Sequence, residues 1–213
     1  MTRDLPGIGT IRARRLRYSG IEAVDQGNRM ARPDQDKAPG GKRLRALVWG
    51  GAAFLLLLPL IAMQFTTEVD WDQADFVVFG AMLLFVCGGY ELATRVSGNR
   101  AYRLGAGIAL LGAFLLTWMN LAVGIIGNEE NPANLVFFAV PATGLLGALV
   151  ARFEARGMAR ALVVTAVVQA LIAVVALVSG WGQVFVLTGF FVLLWLSSAQ
   201  FFRKASLGNS VTD

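Results

Sequence analysis

Along the chain, apolar residues gather into long blocks that are almost free of charge, separated by short segments that hold the ionisable side chains. A helix that crosses a bilayer needs about 20 mostly apolar residues, because the hydrocarbon core is about 30 Å thick and each residue rises about 1.5 Å. Residues 46–65, 76–94, 104–126 and 131–151 each meet that length, and Glu91 is the sole charge within them. Residues 161–202 carry no charge for 42 positions, about twice one span. The turn-like Ser179-Gly180-Trp181-Gly182 divides that run into 161–179 and 184–202. The pattern predicts an all-α membrane protein, a bundle of six transmembrane helices.

The polar segments alternate in sign. Glu68, Asp70, Asp72 and Asp75 follow the first span, and Glu129 and Glu130 follow the third. Arg95, Arg100 and Arg103 follow the second, Arg152, Arg156 and Arg160 (with Glu154) follow the fourth, and Arg203 and Lys204 follow the sixth. Residues 1–45 add eleven of the nineteen basic residues. Basic residues favour the cytoplasmic side, so six spans place both termini in the cytoplasm. The expected localisation is the bacterial inner membrane, multi-pass.

Residues 1–43 lack a sustained apolar period and are expected to form a disordered basic tail. Its Arg12, Arg14, Arg15 and Arg17 suit a positive-inside signal or anionic headgroups, and no nucleic-acid partner is expected. Met30 opens a natural short lead into the first span, which makes residues 1–29 a candidate over-called start. Residues 204–213 are expected to be a short cytoplasmic tail.

Composition narrows the chemistry. The chain has no histidine and one cysteine, Cys87, inside an apolar stretch. The commonest metal and haem ligand, the usual general base and any intrachain disulfide are therefore missing. No catalytic residue, metal site or cofactor is expected. Arg outnumbers Lys sixteen to three, which suggests a GC-rich bacterial source.

Polar residues inside spans are expensive in hydrocarbon and are the candidate functional positions. Gln169 lies near the middle of the fifth span, with Thr165 one turn earlier on the same face. The expected role of Gln169 is a hydrogen bond between helices, with a solute or ion contact as the rival. Glu91 and Arg95 have the spacing of an ion pair on one helix face, near the interface. Thr117 and Asn120 fall in the outer half of the third span, and Thr143 in the fourth. Gly105, Gly107, Gly112, Gly144 and Gly147 offer close-approach surfaces. Pro59 and Pro141 are candidate kinks. Trp71, Tyr102, Trp118 and Trp181 fall near span ends, as an aromatic belt would.

Asn131-Pro132-Ala133 matches the aquaporin tripeptide, but it occurs once, beside Glu129 and Glu130, and joins the third and fourth spans. Asn131 as N-cap and Pro132 in the first turn account for it as a helix start. The second and third spans also echo the fourth and fifth at an offset of 57 residues: Arg95 and Arg103 align with Arg152 and Arg160, and Ala109 and Ala113 with Ala166 and Ala170. Residues 121–134 (LAVGIIGNEENPAN) and 147–162 (GALVARFEARGMARAL) resemble an uncharacterised group of small multi-helix inner-membrane proteins of proteobacteria. The resemblance covers roughly residues 75–180 and implies no activity.

The expected function is therefore non-catalytic. The protein would act through helix–helix contacts as an accessory or assembly subunit. Its partners would be the lipid bilayer and either a further copy of itself or another membrane protein. The alternative is a small oligomeric transporter or channel for a small solute or ion, its path lined by Glu91, Asn120, Thr143, Thr165 and Gln169.

Overall fold

A computed structural model describes residues 39–180 and 185–209, with side chains over 44–180 and 185–208. The helices are α1 (Pro39–Ala62), α2 (Gln73–Val96), α3 (Arg100–Ala122), α4 (Ala139–Val150, led in by a 3₁₀ segment Pro132–Phe138), α5 (Ala155–Val178) and α6 (Phe185–Asn209). All six spans are long and apolar enough to cross a membrane, as the block pattern predicts. The expected arginine-bearing tail before Pro39, Trp181 and Gly182 lie outside the described residues.

The helix ends differ from the apolar blocks for a consistent reason: hydropathy measures the hydrocarbon, whereas helices continue into the interface. Thus α1 begins at Pro39, inside the expected tail, and α6 runs to Asn209, past Arg203 and Lys204. Likewise α5 begins at Ala155, six residues before its uncharged block. The opposite correction applies to α1 and α3. The first span was expected to reach residue 65, but α1 unwinds after Ala62 as the Gln64 N–H reaches back only three residues, to the Ile61 carbonyl. The third was expected to reach residue 126, but α3 stops at Ala122 because Gly124 adopts a left-handed φ of 74°. A methyl group there would lie 2.3 Å from the Asn128 carbonyl, so only glycine fits. Pro141 does not kink the middle of a helix. It occupies the first turn of α4, where a missing N–H is no loss.

The core is built by α3, α5 and α6, with α4 against α5 and α2 against α3. Small residues set the spacing: a methyl on Gly105 would come within 2.9 Å of the Phe202 ring, and one on Gly147 within 2.6 Å of Ala161. On α5, Thr165, Gln169, Ile172 and Ala176 are buried at the three- and four-residue intervals that align one helix face. Ile172 and Ala176 share a core cluster with Phe191, Trp195 and Phe202 of α6. In contrast, α1 rests on α2 by a narrow stripe, with Leu56 beside Gly80 and the Cys87 thiol donating to the Val48 carbonyl at 3.9 Å.

The basic segments meet at one end of the bundle. The Tyr102 hydroxyl donates to the Phe153 carbonyl, and Gly208 lies beside Asn99. The acidic segments meet at the other, where Trp71 stacks near Trp118 at 5.5 Å and both rings contact Phe79. Two of those acidic side chains start α2. Asp72 caps the Asp75 N–H, and Asp75 accepts from the Asp72 N–H in return. Tyr102 is therefore not a belt residue: it is buried, with its ring edge-on to Phe202.

Candidate functional site

The sequence-predicted polar residues fall in three separate places. At the basic end, Glu91 and Arg95 form an ion pair across one turn of α2. At the acidic end, Asn120 donates to the Asn134 carbonyl at 2.9 Å, while its own side-chain oxygen has no partner among the described residues. Thr117 is half-buried on the same helix. In the interior, Thr165 and Gln169 are 0% exposed. Thr165 donates back to the Ala161 carbonyl, and Thr143 to that of Ala139, so both hydroxyls are satisfied within their own helices.

Gln169 departs from expectation. Neither its side-chain nitrogen nor its oxygen has a hydrogen-bond partner among the described residues. The expected bond to another helix is not made among the described residues, and on α6 the Ser198 hydroxyl donates instead to the Gly105 carbonyl at 2.7 Å. The Trp195 indole nitrogen and the Thr188 hydroxyl are likewise buried and unpartnered. The bundle core therefore holds several polar groups without a hydrogen-bond partner among the described residues.

Asn134 is a site residue that the sequence reading passed over. Its side-chain oxygen accepts from the Ile125 and Ile126 N–H groups at 2.9 and 2.7 Å. Its amide donates to the Asn128 carbonyl at 2.6 Å and, at 3.4 Å, to that of Ile126. One buried side chain thus ties down the loop between α3 and α4. The only sequence signal for it was a second Asn three residues after a helix-start Asn. Asn131 acts as expected: it caps the Ala133 N–H, with Pro132 in the first turn, although the helix it opens is 3₁₀.

A cavity of about 320 Å³ opens between α2 and α4, with α3 as its back wall. Its lining is almost entirely apolar, and Glu91, Arg95, Thr117, Asn120, Thr143, Thr165 and Gln169 are not among the residues that form it. Phe85, Val96 and Leu145 form exposed lips, while Tyr102, Leu162 and Trp195 form a buried interior. The opening is therefore lateral, toward hydrocarbon.

The turn at the basic mouth of this cavity is strained. Arg152 and Phe153 both have left-handed backbones, at φ 49° and 61°, a region that glycine alone enters freely. The geometry closes α4 as a Schellman motif: the Phe153 N–H reaches the Ala148 carbonyl, and the Arg152 N–H that of Leu149. Arginine stands where that motif prefers glycine. The bond from Tyr102 to the Phe153 carbonyl, 2.7 Å long, holds the strained segment in place.

Comparison with protein-family models, with curated proteins and with solved structures finds no match for this chain.

Proposed function

We propose that this is a non-catalytic integral protein of the bacterial inner membrane, with both termini in the cytoplasm, which works through helix contacts as an accessory or assembly subunit. The observation that carries this reading is α1. It leaves Phe54, Leu57, Leu58 and Ile61 exposed, while Val48, Ala52, Leu56 and Pro59 form a partly buried stripe. On its open face a methyl on Gly50 would meet nothing within 4 Å, and Ala53 is exposed beside it. Small residues on an uncovered membrane helix let a second helix approach closely, which is how association proceeds where lipid tails are as apolar as the helix itself. The absence of histidine from the sequence supports a non-catalytic role. The basic loops support the cytoplasmic placement of the termini.

A photo-crosslinking amino acid at positions 50, 53 and 56, activated in native membranes, tests the reading. Positions 50 and 53 should give one discrete protein adduct, either twice the chain mass or chain plus one partner. Position 56 should give only internal products. Lipid adducts alone at 50 and 53 would overturn the reading.

A further inference from the structure

We infer that the cavity between α2 and α4 holds one acyl chain of an anionic phospholipid, with the phosphate at Arg152. The dimensions argue first. The lining runs from Tyr102 to Ala113 on α3 and from Phe85 to Val96 on α2. Each is a rise of eleven residues, about 17 Å, close to one leaflet of a hydrocarbon core about 30 Å thick. Along that length a cavity of about 320 Å³ forms a slot in which an extended hydrocarbon chain can lie. The wall is almost entirely apolar, as suits a methylene chain.

Charge complementarity at the mouth selects the headgroup. Arg95, Arg103 and Arg152 adjoin the lining residues Val96, Tyr102 and Phe153 in sequence. Arg95 is neutralised by Glu91, and Arg103 spends its guanidinium on the Thr94 and Ser97 carbonyls. Arg152 is exposed and has no ion pair or side-chain hydrogen bond among the described residues. The strain adds an independent observation. A left-handed backbone at Arg152 and Phe153 is unfavourable for both, yet Phe153 lines the cavity and Arg152, the residue before it, is exposed. Guanidinium is the group best matched to a phosphate. This site is separate from the open face of α1 and does not depend on the reading of that face.

The test uses Trp195, which is 2% exposed yet lines the cavity, so that a quencher reaches it only from within. In a chain whose other tryptophans are phenylalanine, reconstituted in phosphatidylcholine vesicles, a minor fraction of phosphatidylglycerol with brominated chains should quench Trp195. The same fraction of brominated phosphatidylcholine should quench it far less. Arg152→Gly suits the Schellman motif and keeps the fold, and it should weaken the phosphatidylglycerol effect about fivefold. Ala109→Phe, which fills the cavity, should abolish it. Equal quenching by the two lipids, or none, would overturn the proposal. A photo-crosslinker at Leu145 in the otherwise native chain reads the same site without the tryptophan changes. A phosphatidylglycerol adduct supports the proposal, whereas a protein adduct or a phosphatidylcholine adduct in mixed vesicles rejects it.

Discussion

The hydroxyl of Tyr102 donates to the carbonyl of Phe153 at 2.7 Å, joining the first turn of α3 to the strained turn between α4 and α5. Each partner explains the other: the left-handed backbone turns the carbonyl toward α3, and the tyrosine keeps it there. Tyr102→Phe retains the ring against Phe202 and removes only the donor. It should lower stability by about 1 kcal/mol, a shift that thermal unfolding in detergent would register. An unchanged midpoint would mean that the bond does not hold the turn.

Gly124 and Gly50 form a contrasting pair. A methyl at Gly124 lies 2.3 Å from the Asn128 carbonyl on a left-handed backbone, whereas at Gly50 it meets nothing within 4 Å. Gly124→Ala should destabilise the folded chain by more than about 2 kcal/mol, while Gly50→Ala should be neutral or slightly stabilising for the monomer. Unfolding of the two variants side by side gives the comparison. Equal effects would contradict the loop geometry.

Gln169 carries a buried amide with no hydrogen-bond partner among the described residues. Removing an unsatisfied polar group relieves its desolvation penalty, so Gln169→Leu should be neutral or more stable by about 1–2 kcal/mol. Cysteine at 169 in a Cys87→Ala background should resist a membrane-impermeant thiol reagent. Labelling at 169 but not at 168 or 170 would instead reveal an aqueous path and favour the transporter reading.

Asn134→Ala removes two acceptor and two donor interactions from the loop between α3 and α4. Buried backbone groups left unpaired are expensive, so the loss should exceed about 2 kcal/mol. Asn131→Ala, which removes a single capping bond, should cost about 1 kcal/mol. Hydrogen exchange at Ile125 and Ile126 should rise in the first variant and stay slow in the second.

For topology, reporter fusions after Asp70, Glu130 and Gly180 should read periplasmic, and fusions after Asn99, Arg156 and Asp213 cytoplasmic. One reversed reporter would break the orientation.

The six spans were legible because hydrocarbon imposes a single length on any helix that crosses it, and the blocks around Phe54, Leu83, Leu116, Ala148, Ala166 and Trp195 meet that length. The ion pair of Glu91 with Arg95 and the cap at Asn131 were legible too, since both depend on spacing within one helix turn. What could not be read was anything set by separate segments. The cavity arises because α2 and α4 stand apart over small residues of α3, and no single block records that gap. The bond between Tyr102 and Phe153 links positions 51 residues apart. The lack of a partner for Gln169 among the described residues depends on what the other helices present. Asn134 looks like a repeated helix-start residue until the loop folds back onto it.

That loop has a wider consequence. Ile126 and Asn134 are both buried, although the backbone between them is largely non-helical. Bare peptide groups of that kind are excluded from hydrocarbon unless something replaces the water they give up. Here one amide side chain supplies donors and acceptors together, as a trapped water molecule would, but tethered to the chain. The protein carries its own hydration at that rim, so the two ends of the loop can be buried while Gly127 to Glu130 between them stay exposed.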